Sequence, residues 1–326
     1  MQAILDITPQ QYQRHKIHTQ DRDWAETNCY VDVWIELLHA LDLDPMAAMS
    51  FSLTQDFEGD QWTFFKFQLN ELYDLYGLEV QELVIWKSLI ENIQEQVALG
   101  RPVLVELDSM YLPDTAGTAY HQEHVKSTVA VNYIDAENQK MGYFHAQGYY
   151  ELSGDDFVEV FALPGAKTKM TLAPYVEVVK TRQQVKRSKQ DLQQLAMKSV
   201  MRQLQQLPTE NPFIKFRHQF EKDFAWLLEQ PIAKFHEYAF VTFRQFGACF
   251  ELAANFLEWL DADDSSLKSV VERYKSISQT TKVYQFQLAR ALNRKKMVDL
   301  SAIDEMAKAW QHARDELTQY FAAKSL

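Results

Sequence analysis

Near residue 182 the hydrophobic pattern changes its period, and this change limits the fold more than any other feature of the chain. Ahead of it, runs such as "VLVEL" (103–107), "HVKSTVAVNYI" (124–134) and "YVEVVKT" (175–181) have the β-branched and aromatic content of strands. Between them lie helical stretches, "LNELYDLYG" stopping at Gly77 and "SLIENIQEQVALG" with Gly100 just past its end. Beyond it, Leu, Phe and Ala recur every three or four residues to the C-terminus, broken at Pro208 and Pro212. The pattern predicts an α+β domain with an antiparallel sheet over 1–170 and an all-helical domain over 171–326, joined near "LPGAKTK". Within the first domain, Thr8 and Pro9 read as a helix start, and "FSLTQDF" and "WTFFKFQL" as short strands around the acidic turn "DFEGDQ".

Charge divides in the same way. Residues 1–160 carry a net −19 and residues 161–326 a net +7, within a total of −12. The acidic half repels phosphate, which argues against nucleic-acid binding, and the asymmetry points to a different electrostatic partner for each half. No apolar run approaches the ~20 residues of a membrane span. The N-terminal residues lack the basic lead and apolar stretch of a signal peptide. Two cysteines 220 positions apart make no disulfide framework, so a reducing cytoplasm is the expected setting.

Cys29 stands where a polar run gives way to the amphipathic segment ending before Pro45. A helix N-terminus there lowers a thiol's pKa through its open N–H groups and dipole, and the thiolate is the nucleophile. A backbone N–H at Asn28 is placed to join an oxyanion hole. The competing reading is a small core residue, which is the reading for Cys249 in "FRQFGACFELAANF". A thiol nucleophile needs a base. His15, His18, His218, His236 and His312 read as solvated, and His39 lies ten residues along the same helix, about 15 Å away. His124 immediately precedes a strand running into the core, the papain-like arrangement of a histidine at a strand start with a cysteine at a helix start. The group that orients this imidazole is open between His145, on the returning strand, and Asp108 at the end of "VLVELD".

"RPVLVELDSMYLPDTAGTAYHQEHVKSTVAVNYIDAENQKMGYFH" resembles the N-terminal domain of the butirosin biosynthesis protein H family, with Asp108, Tyr111, Leu112, Pro113, Tyr120, His124 and Asp135 in matching order. With "ETNCYVDVWIELLHALDLDP" and "DFEGDQWTFFKF" included, nearly the whole chain resembles domain-of-unknown-function family 1839. The first resemblance covers about residues 25–160 and implies a papain-like fold used for acyl transfer. Cys29 would take an acyl or aminoacyl group from the phosphopantetheine thioester of an acyl carrier protein, His124 would activate it, and a small amine would accept it. No bound cofactor or metal is implied. Where related enzymes often end the next strand in Asp, this chain reads "FHAQ". Two alternatives stand beside transfer: hydrolysis by an amidase, peptidase or thioesterase of the same fold, and a non-catalytic binding protein on a degenerate papain-like scaffold.

Other stretches carry less. Asp56, Glu58 and Asp60 alternate like oxygen ligands but lack the length and distal Glu of a calcium loop, so they read as an acidic surface turn. "KTRQQVKRSK" (180–189) and "RALNRKK" (290–296) read as solvated helix faces or as a dock for an acidic carrier protein.

Overall fold

The computed structural model describes residues 3–19, 22–24, 26–169, 173–261 and 265–324. The chain forms two units. The first comprises Met1–Gln20, Asn28–Pro45 and Gln68–Arg187; the second comprises Asp21–Thr27, Met46–Phe67 and Ser188–Leu326. The expected boundary between 170 and 171 lies outside the described residues. The strand that follows it belongs to the first unit, which ends at Arg187.

The first unit is built on a six-stranded sheet of β1 (Glu79–Glu82), β2 (Val103–Asp108), β3 (Lys126–Asp135), β4 (Lys140–His145), β5 (Gly148–Ser153) and β6 (Val176–Lys180). Its spatial order is β1-β6-β2-β3-β4-β5, and every neighbouring pair is antiparallel. Four helices accompany it: α1 (Cys29–Ala40), α2 (Leu69–Tyr76), α3 (Leu89–Ala98) and α4 (Asp155–Val160). Strand alternation sends Val103, Val105 and Leu107 of β2, with Val129 and Val131 of β3, to one face. There they pack with Leu89, Ile90, Ile93 and Val97 of α3 in a continuous buried core. Residues of the other parity face α1, whose Val33, Trp34, Leu37 and Leu38 are buried. That division decides which side chains can meet.

Local signals explain the helix ends. Ser88 and Glu91 form a reciprocal capping box at the start of α3. α2 stops at Gly77, which adopts φ 69°, and a Cβ there would meet the Gln183 carbonyl oxygen at 2.0 Å. "HVKSTVAVNYI" runs into β3 and pairs with β4, and the stretch "QKMGYFHAQGYYEL" holds two strands, β4 and β5. Ala146, at φ 45°, and Gln147 turn the chain from β4 into β5.

Two expected elements differ. Thr8 and Pro9 open a single hydrogen-bonded turn, Tyr12 N–H donating to the Thr8 carbonyl at 2.9 Å, and the first helical element after it is the 3₁₀ turn Lys16–His18. The segment read as paired strands winds instead as 3₁₀ turns over Pro45–Thr54, with a single bridge between Phe57 and Trp62. Its aromatic residues fill the core of the second unit. Trp62 packs against Phe246 at 4.5 Å and Phe213 at 5.0 Å between ring centroids, and Phe57 against Phe216 at 5.4 Å. Burial among aromatic rings supplies the hydrophobic gain that a sheet would have supplied. The acidic turn is tied down as well, Asp56 pairing with Lys215 at 2.6 Å.

The second unit is helical: α5 (Lys189–Leu204), α6 (Pro212–Leu227), α7 (Ile232–Ala239), α8 (Gln245–Leu260), α9 (Lys268–Asn293) and α10 (Ser301–Lys324), with a π-helical turn over Phe240–Arg244 joining α7 to α8. Ser188 and Asn211 cap α5 and α6, and Pro212 takes the first helical position of α6. Phe213, Phe216, Phe220 and Phe224, spaced by three or four on α6, are all buried. Among the described residues, no helix is long and apolar enough to cross a membrane.

Candidate functional site

Cys29 is the first residue of α1 and is half-buried. Asn28 adopts extended backbone, and its Oδ1 accepts from Val31 N–H at 2.9 Å, so its side chain is the helix cap. The Cys29 Sγ lies 3.7 Å from Thr128 Oγ1, which it reaches as a donor. Tyr30 follows and donates to Glu177 Oε2 at 2.8 Å; Glu177 also takes the Tyr175 hydroxyl at 2.8 Å. Burial first, and the Glu177 charge second, push the Tyr30 phenol far above its usual range.

Thr128 belongs to a polar stripe on the α1 face of β2 and β3. In the register, Glu106 stands opposite Thr128 and Asp108 opposite Lys126. Lys126 Nζ donates to Glu106 at 2.8 Å. The ladder continues past the strand end, with Ser109 N–H donating to the Val125 carbonyl at 2.8 Å. His124 stands just beyond, and its Nδ1 lies 2.6 Å from Asp108 Oδ2. The other oxygen, Oδ1, accepts from Met110 N–H at 3.0 Å. The His124 side chain is 65% exposed, with the Tyr111 ring edge-on at 6.3 Å between centroids. Its Nε2 makes no hydrogen bond among the described residues. An imidazole held through Nδ1 by a carboxylate has its tautomer set, with Nε2 free to take a proton.

His145, the other expected orienting group, is elsewhere. It is buried at the end of β4, with Nε2 2.6 Å from Ser127 Oγ and Nδ1 2.5 Å from Asp114 Oδ2. Both ring nitrogens are thereby occupied, on the sheet face opposite Thr128. The structure thus pairs His124 with Asp108 and places Cys29 on the same face. No hydrogen bond joins Cys29 to His124 among the described residues. From Thr128 back to His124 is four residues, about 13 Å of extended chain.

Cys249 is fully buried within α8, donates to the Ser52 carbonyl at 3.6 Å, and has its thiol pushed up by burial. His15 and His18, read from the sequence as solvated, are buried. His18 lies between two carboxylates of α1, with Nε2 3.2 Å from Asp32 Oδ1 and Nδ1 bonded to Glu36 Oε1. Glu36 also accepts the Tyr12 hydroxyl at 2.5 Å and the His15 N–H at 3.1 Å. These partners lie 14 to 24 positions apart, and the only local signal was an acidic residue at two inward positions of an amphipathic helix. Among the described residues, no group of three or more His, Cys, Asp or Glu side chains is arranged to hold a metal ion. A cavity of about 690 Å³ lies at the far end of β3, lined by Ile4, Val97 and Ile134, away from Cys29 and His124.

No curated protein matches the chain. Two family models do, and they fall on either side of the break between β6 and α5. The DUF1839 N-terminal domain matches residues 13–181 and the DUF1839 C-terminal domain residues 189–319, so the chain belongs to the DUF1839 family.

Proposed function

We propose that the first unit is a papain-like domain catalysing cysteine-dependent acyl transfer, from the phosphopantetheine thioester of a carrier protein to an amine. The observation that supports this most is the His124–Asp108 pair at 2.6 Å on the sheet face that Cys29 also occupies. In this reading His124 Nε2 takes the Cys29 proton, the thiolate attacks the thioester carbonyl, and the leaving phosphopantetheine thiol takes that proton back. The acyl group then rests on Cys29 until the amine attacks it, and the amine's proton passes through His124. Asp108 is the orienting group, holding the tautomer and stabilising the imidazolium. Pairing thiol with imidazole requires the exposed segment ahead of β3 to fold toward α1 when substrate binds, and catalytic hydrogen bonds commonly tighten only in the complex. The resemblance of residues 25–160 to the butirosin protein H family supports the choice of transfer over hydrolysis. The exposed Arg290, Arg294, Lys295 and Lys296 at the end of α9 supply positive potential for an acidic carrier protein.

One observation favours a second reading, a binding domain without catalysis: the Cys29 sulfur rests on Thr128 and not on an imidazole. The alkylation rate of Cys29 by iodoacetamide, followed from pH 5 to 9, separates the two. An enzyme retains reactivity below pH 7 and loses it in His124→Ala and, in part, in Asp108→Asn. Identical pH profiles in wild type and His124→Ala would leave the binding reading standing alone.

A further inference from the structure

β3 opens with two adjacent hydroxyls, and strand alternation sends them to opposite faces. Thr128 meets Cys29. Ser127 meets the buried His145, at 2.6 Å from its Nε2, and Nδ1 of the same ring is 2.5 Å from Asp114 Oδ2. Asp114 sits in the first turn of the 3₁₀ segment Pro113–Thr115, and its Oδ1 accepts the Tyr143 hydroxyl at 2.6 Å. Its side chain is 3% exposed.

A carboxylate can only accept, so His145 Nδ1 carries the proton toward Asp114. In the neutral imidazole Nε2 is left as an acceptor, and the Ser127 O–H donates to it. A hydroxyl aimed at an imidazole that is itself held through its other nitrogen by a buried carboxylate is the arrangement that activates a serine. Ser127 is 7% exposed, and its neighbours Val125 and Lys126 are exposed at the strand start.

We propose that Ser127, His145 and Asp114 form a second nucleophilic centre, reactive toward small acyl esters or thioesters and separate from Cys29. Ser127 Oγ attacks the carbonyl carbon as its proton passes to His145 Nε2. The C–O or C–S bond to the leaving group breaks, and the leaving alcohol or thiol takes that proton. Water then cleaves the Ser127 ester, giving its proton to His145 and returning one to Oγ.

Full-length protein treated with a small alkyl fluorophosphonate tests this, the modified residue being mapped by peptide mass. The expected result is one adduct on Ser127, in wild type and equally in Cys29→Ala. Asp114→Asn should slow it by about 10²- to 10⁴-fold. Wild-type labelling decides the matter even if a variant fails to fold. No adduct on Ser127 after prolonged exposure, or labelling unaffected by Asp114→Asn in a folded protein, would overturn the proposal and leave the acyl-transfer reading of Cys29 untouched.

Discussion

Replacing His18 by Gln should cost more stability at pH 6.5 than at pH 9.5, and the structure sets the difference. Burial alone would lower the pKa of His18. Hydrogen bonds to Asp32 and Glu36 and the charges of both outweigh it, raising the value from 6.5 to about 9. Between those two values the folded chain keeps a proton that the unfolded chain releases. The stabilisation is therefore complete below pH 6.5 and is lost as pH rises through 9. At 1.36 kcal/mol per tenfold change in proton affinity, it amounts to about 3 kcal/mol. His15 acts with the opposite sign. Burial, then the charges of His39, His18 and Lys16, lower its pKa to about 3, so the unfolded chain takes up a proton that the folded one refuses. That contribution disappears as pH falls from 6.5 toward 3, and wild-type stability should peak near pH 6.5. Urea denaturation of wild type and His18→Gln, at pH 6.5 and 9.5, measures the difference, because groups that do not face His18 cancel between the two chains. An equal loss at both pH values would refute the reasoning.

Three further outcomes follow from the fold. Gly77→Ala should lower stability by about 1–3 kcal/mol, read as a fall in Tm, because the residue is held at φ 69° and a Cβ collides with the Gln183 carbonyl. Phe216→Ala should cost about 3–5 kcal/mol in urea melts, since the fully buried ring meets Phe57, Trp62, Phe220, Phe243 and Phe246. In the native state, iodoacetamide should label Cys29 at least tenfold faster than Cys249, whose thiol is buried and pushed up in pKa; equal rates by peptide mass would contradict it.

What could be read from the sequence depended on how local its cause was. α3 was visible because its capping box, its 3.6-residue period and Gly100 lie within thirteen residues, and β2 because four of the five residues of "VLVEL" are apolar. The stretch 51–67 misled because its aromatic spacing suits a strand, whereas Phe57 and Trp62 are claimed by α6 and α8 far along the chain. Asp108 was one of two named partners for His124, and the β2–β3 register that brings them together is the one that pairs Val105 with Val129. His145 was named for the wrong neighbour for a simple reason. One-residue alternation on β3 and β4 decides which face a side chain takes, and hydrophobic pattern alone does not fix that at a strand end. Ser127 and Asp114 were invisible as a pair because their link runs through His145, 18 residues from one and 31 from the other.

The central claim is that Cys29 carries an acyl group. Intact-mass analysis after mixing the protein with aminoacyl-loaded carrier proteins tests it most directly. Wild type should gain a mass equal to the acyl group, located at Cys29, absent in Cys29→Ala and discharged by an added amine. Loaded carrier proteins that keep their acyl groups, with no adduct on wild type, would contradict it.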